Sequence, residues 1–324
     1  MFHNKQKSNL TNNIQFKNVK SKRLICLSFI LFKTIVIICF FFVNKITLPK
    51  SPSNILINEK RIHNEKVIYV KNALILKEEN KKFIDNLPIY KNSHIYSNKI
   101  FWCWLQGEKN IPKLALACLK SVKQYCKKHE IIIITEENLE KYVNMPKFIL
   151  KKYKNGEMIK AHFSDLLRLE LLIKYGGSWI DSSVLLTGYE PKFFHQDLFY
   201  FTIINKTFMT GSNWFLTSEK DSPILKTTRD LLYHFWKNNS KVKEYLIFYI
   251  FFTFACEKYF NDYKNVEIYP VEISKLFQRQ LSKPFNETLY KEIISKTTVH
   301  KLIVDMNRKS NKELFYQHFI KLYS

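Results

Sequence analysis

The chain has 324 residues, 46% of them hydrophobic, enough for one sizeable core or a core with an appendage. Its 52 Lys+Arg against 28 Asp+Glu leave a formal charge of +24, which suits an anionic partner: nucleic acid, anionic lipid or a phosphorylated donor. A Lys/Asn/Ile-rich coding bias gives the same surplus, so charge does not choose among them. The six cysteines, Cys26, Cys39, Cys103, Cys118, Cys126 and Cys256, form no CxxC pair and no repeating spacing, which argues against a zinc site or a disulfide framework.

Residues 1–23 form a basic tail without an acidic residue. Residues 24–43 are apolar except for Lys33, Ser28 and Thr34, and are about one bilayer's worth of helix. A mid-span lysine costs roughly 2.5–3.5 kcal/mol, and more than a dozen apolar residues at about 0.3–0.6 kcal/mol each offset it. The expectation is a single-pass, membrane-associated chain, with the side of the membrane open because Lys45, Lys50, Lys60 and Arg61 follow the span. Residues 44–98 read as a linker or stem, 99–310 as the main folded domain and 311–324 as a C-terminal tail.

From Lys99 onward, strand and helix patterns alternate. Ile100–Leu105 reads as a buried strand ending at Gln106-Gly107, and Pro112 opens a helix carrying Leu114, Cys118, Val122 and Cys126. Ile131–Thr135 is an unbroken β-branched run, the mark of a strand covered on both faces. Short helices at 138–143 and 146–153 precede the strongest helix pattern, Glu157 to Tyr175, closed by Gly176-Gly177. Strands are expected at 178–186, 198–204 and 266–270, with helices at 223–237 and 245–256. This alternation predicts an α/β fold with a mostly parallel sheet between helices. Ligands in such sheets sit at the carboxyl ends of the strands, which puts Gln106, Thr135 and Asp181 at one edge.

Asp181, after an apolar strand, is placed either to hold a divalent cation against phosphate oxygens or simply to turn the chain. Asp165 and Arg168, three apart on the preceding helix, are either a surface pair or a carboxylate and a guanidinium offered to a nucleotide. His300 is either a metal ligand or a structural histidine, and Trp102, Trp104 and Trp179 are expected in the core, with the lining of a nucleotide pocket as the alternative for Trp102 or Trp104.

The order of these signals carries a resemblance. Residues 162–187, with His-Phe-Ser-Asp-Leu-Leu-Arg and Tyr-Gly-Gly-Ser-Trp-Ile-Asp-Ser-Ser-Val-Leu-Leu-Thr, are similar to the signature of the capsular polysaccharide synthesis glycosyltransferases, relatives of glycosyltransferase family 32 with a glycosyltransferase-A fold. Phe101 to Gly107, Ser212-Asn213-Trp214-Phe215 and Val299-His300-Lys301-Leu302 resemble further segments of that family in the right order, over about residues 99–303. The resemblance implies a Rossmann-like sheet and transfer of a sugar, a hexose by expectation, from a nucleotide sugar to a glycan or lipid-linked acceptor in capsule or surface-glycan synthesis. It also implies retention of configuration and no nucleic-acid partner. It assigns catalysis to Asp181 and Asn213, the donor site to Gln106, Asp165, Arg168 and Gly177, and a divalent cation, Mn2+ or Mg2+, to Asp181 with His300. Ser183 stands where the family's Asp-x-Asp motif has its second acid. An alternative is a membrane-anchored basic binding protein with an inactive transferase fold.

Overall fold

The computed structural model describes residues 69–203, 210–240, 245–263, 267–303 and 313–324. The basic tail, the expected membrane anchor and residues 44–68 of the expected linker lie outside the described residues. Among the described residues, no helix is long and apolar enough to cross a membrane.

A five-stranded sheet forms the centre. Its first strand, β1 (Lys99–Cys103), buries Ile100, Phe101 and Trp102 in succession, as a strand covered by helices on both faces must. It pairs in parallel with β2 (Glu130–Ile134) on one side and β3 (Gly177–Ile180) on the other. β6 (Gly211–Ser218) runs antiparallel to β3 and carries β5 (Leu198–Thr202) on its far side. Four strands therefore point one way and β6 alone runs against them, so the sheet is mixed but mostly parallel. β2 is an edge strand, and its isoleucines alternate between buried and half-buried rather than being covered equally on both faces.

The helices follow the sequence pattern with shifted ends. α1 (Lys113–Tyr125) starts behind Pro112 and buries Leu114, Cys118 and Val122. α2 (Lys147–Lys154) precedes α3 (Lys160–Tyr175), which begins three residues after Glu157 because Glu157 instead pairs with Lys152. α4 (Pro223–Asn238) and α5 (Ile247–Lys258) pack together, and α5 is the expected buried apolar helix.

α3 stops at Gly176, whose N–H reaches the Leu172 carbonyl at 2.8 Å. Both Gly176 and Gly177 have positive φ, and a Cβ on Gly177 would lie 2.4 Å from the Lys99 carbonyl oxygen. No other residue lets β3 enter so close to β1.

Two expectations about strands fail. Residues 178–186 are not one strand: the Asp181-Ser182-Ser183 turn ends β3, and β4 (Val184–Leu186) leaves the sheet to pair antiparallel with β7 (Val299–Lys301). The late strand at 266–270 is reduced, within 267–270, to one parallel bridge between Pro270 and Thr202, since proline has no N–H for a ladder. Residues 69–98, read as linker, pack on the core through Tyr69, Ala73 and Leu87. Glu287–Ile294 forms α6, and residues 315–322, read as tail, form a further helix, α7 (Phe315–Leu322), whose Phe315 and Phe319 are fully buried against Leu114, Cys118 and Leu185.

Candidate active site

Because β1, β2 and β3 are parallel, their carboxyl ends share one edge, and Gln106, Thr135 and Asp181 follow those ends. Asp181 continues the β3 ladder with one bond, its N–H donating to the Trp214 carbonyl at 2.8 Å. Its side chain is held from three directions. The indole N–H of the buried Trp179 donates to Oδ1 at 2.7 Å. Arg168 Nη2 approaches the same oxygen at 3.6 Å. Lys301 Nζ donates to Oδ2 at 2.8 Å and also bonds the Ser183 hydroxyl. Burial works to raise the Asp181 carboxyl, but Lys301 and then Arg168 outweigh it and hold it below its ordinary value.

Asp165 and Arg168 are not a surface pair: they are only 8% and 4% exposed. α3 turns its inner face to β3 and β6, and this carries both side chains beneath the carboxyl edge. Arg168 Nη1 donates to the Asn213 carbonyl at 2.8 Å and lies 3.4 Å from Asp165 Oδ1, while the guanidinium sits 5.0 Å from the Trp179 ring centre. The Asn213 amide donates to Asp165 Oδ1 at 2.7 Å and accepts from the Tyr249 hydroxyl at 2.9 Å. Burial pushes the Asp165 carboxyl up to about 7, against the pull of Arg168. Asp165 therefore holds a proton below neutrality, and Asn213 is fixed between it and Tyr249 as a spacer inside the site.

The expected residues thus divide. Asp181, Asp165, Arg168 and Asn213 come together in one network. Gln106 is on the same edge, with an exposed side chain in the turn after β1, where its carbonyl accepts from the Asn110 amide at 2.6 Å. Gly177 is not with them: it opens β3, at the opposite end from Asp181, and its role is the close approach to Lys99. His300 is not with them either. It pairs across from Leu185 on the face of β7 turned to the core, with no exposed surface, its ring centre 4.5 Å from that of Phe277 and Nε2 2.9 Å from the Thr187 hydroxyl. Burial lowers its pKa to about 3, so it stays neutral. Successive residues on a strand face opposite ways. The neighbour, Lys301, therefore takes the position at Asp181 that His300 was expected to hold.

Sequence reasoning passed over Lys301, Tyr249 and Cys103, the last being the end of β1 whose thiol feels Arg168 and Asp181. A lysine inside the apolar run Val299-His300-Lys301-Leu302-Ile303 was the available signal, because a half-buried ammonium needs a counter-charge. Among the described residues, the one cluster of three His, Asp or Glu side chains close enough to share a cation is His94, Asp197 and Glu219. It lies at the other edge of the sheet, since Glu219 follows Ser218, the partner of Gly177.

The family model for capsular polysaccharide synthesis proteins matches residues 52–319. The chain belongs to this family. The family match extends past the motif-bearing span of 99–303 and takes in residues 69–98 and most of α7, both of which pack on the core. A solved structure, the PaToxG Glycosyltransferase, is similar over 61% of this chain and 80% of its own, at 18% identity and a TM-score of 0.37. No curated protein matches the sequence.

Proposed function

We propose that this capsular polysaccharide synthesis protein is a glycosyltransferase of the glycosyltransferase-A type. It moves a sugar, a hexose in the simplest case, from a nucleotide sugar to a glycan or lipid-linked acceptor, with the apolar segment 24–43 keeping it at a membrane. The observation that carries the reading is the convergence of Arg168 and Lys301 on Asp181 at the carboxyl edge of a mostly parallel sheet. That edge is where α/β folds bind ligands, and paired cations are what a departing diphosphate requires. Asp165 and Asn213 orient Arg168 from behind, and Gln106 and the turn after β1 border the nucleotide.

Retention of configuration is part of the proposal. In that course the bond from the anomeric carbon to the phosphate oxygen breaks, and its electron pair leaves with the diphosphate. The acceptor oxygen bonds to the carbon on the same face and gives its proton to the departing phosphate oxygen. The test is turnover of a panel of sugar nucleotides by the full chain, with proton NMR of the product linkage. Asp181→Ala is expected to lower kcat about 100-fold or more, because Lys301 and Arg168 lose the carboxylate that positions them, an effect on the order of losing one donor to the departing diphosphate. Absence of turnover with every donor overturns the reading, and an inverted product overturns retention.

A further inference from the structure

The family resemblance brings with it a divalent cation at Asp181, and the residues present do not fit one. Mg2+ and Mn2+ take six oxygen ligands, usually with at least one free carboxylate oxygen from the protein. Here Asp181 is the single carboxylate of the motif, and both of its oxygens are engaged: Oδ1 by Trp179 and Arg168, Oδ2 by Lys301. The second motif position is Ser183, whose hydroxyl is bonded to the same Lys301 ammonium. His300 faces the core on the opposite side of β7.

The ammonium of Lys301 therefore bridges residues 181 and 183, the two positions whose side chains would have to share the ion. We infer that Lys301 replaces the metal. The enzyme is a metal-independent transferase in which a lysine from β7, with Arg168 from α3, supplies the positive charge for the donor's diphosphate. The inference rests on the glycosyltransferase reading above.

The charge and donor count are in its favour. An ammonium carries three N–H donors. Among the described residues two are committed, to Asp181 and Ser183, which leaves one for a phosphate oxygen. The ammonium also lies 5.8 Å from the centre of the Trp214 ring, near the outer limit of a cation–π contact. Lys301 acts by its charge: it stabilises the electron pair arriving on the diphosphate and takes no part in bond exchange. The β4–β7 pairing places it by register, Val184 against Lys301, so its position is set by backbone and not by a flexible loop.

The experiment uses the full chain, stripped of metal with EDTA, and compares turnover of the sugar-nucleotide panel with and without added Mn2+ or Mg2+. Binding of inorganic pyrophosphate is followed by calorimetry under the same conditions. The expected result is turnover in EDTA within about twofold of that with metal, and pyrophosphate binding that needs no cation. Lys301→Ala is expected to lower kcat by about 100-fold and Lys301→Arg to recover part of it, as for loss and conservative return of a charge-stabilising donor. Thermal denaturation of both variants checks that they fold, and the wild-type comparison stands even where Lys301→Ala does not. Turnover that appears only with Mn2+ or Mg2+ overturns the inference and leaves the transferase reading intact. No turnover and no binding under either condition overturns both.

Discussion

The two edges of the central sheet handle buried carboxylates in opposite ways. At the carboxyl edge, Asp181 is lowered because Lys301 and Arg168 outweigh its burial. At the amino edge, Glu219 is fully buried and raised, because burial exceeds the help it receives from the His94 N–H and Ser93 hydroxyl. Hydrogen bonds and nearby cations both favour the charged carboxylate; at Asp181 the two cations outweigh burial, and at Glu219 the hydrogen bonds do not. The edge with surplus cations is the one suited to a phosphate, and the other is suited to holding the chain together.

Replacing Arg168 by methionine should have the largest effect on this contrast. It leaves Asp165 and Asp181 near each other without the guanidinium between them, and a buried charge stripped of its partner costs about 3–5 kcal/mol. Urea denaturation should show that loss together with loss of turnover. A stable, active Arg168→Met variant would remove the reason for treating the carboxyl edge as special.

Gly177→Ala should come next, at about 2–3 kcal/mol, from a positive φ and a Cβ 2.4 Å from the Lys99 carbonyl. The loss should show as a lower Tm. Impaired kinetics in a variant of unchanged Tm would return Gly177 to the donor site.

A subtler test concerns Asp165, whose pKa rises on folding from 3.8 to about 7. The native state then binds more protons than the unfolded chain between those values, so stability falls as pH rises through that window, by about 1.4 kcal/mol per unit at most. Asp165→Asn should flatten the wild-type decline in denaturation midpoint between pH 4 and 7. An unchanged profile means that Arg168 keeps the carboxyl ionised.

Glu219→Gln should have the smallest effect, about 1 kcal/mol or less on stability and none on turnover, because it stays hydrogen-bonded at the far edge. A kinetic loss as large as that of Arg168→Met would erase the distinction between the edges.

Local chemistry made part of this legible in the sequence. The β-branched run at 131–134, the Gly-Gly stop after Tyr175 and the apolar strand before Asp181 each declare themselves within a few residues, and each is found in place. The Asp165–Arg168 spacing gave the shared helix face but not its burial, which depends on β6 arriving antiparallel from 45 residues further on. Asp181-Ser182-Ser183 carried the turn signal, but the apolar residues on both sides of it read as one continuous strand, which hid the departure of β4. The exchange of His300 for Lys301 was hidden because both faces of the β4–β7 ribbon are covered. Alternation could say that the two side chains diverge, but not which one meets Asp181.

The β4–β7 ribbon has a consequence for how the protein is made. Asp181 and the lysine that neutralises it are 120 residues apart. On a ribosome adding 5–20 residues per second, the carboxylate is synthesised roughly 6–24 s before its counter-ion. Until then Asp181 has Arg168 but lacks the ammonium of Lys301, and the β4–β7 ribbon is unpaired. The set of contacts around Asp181 is therefore complete only in chains translated at least through Lys301.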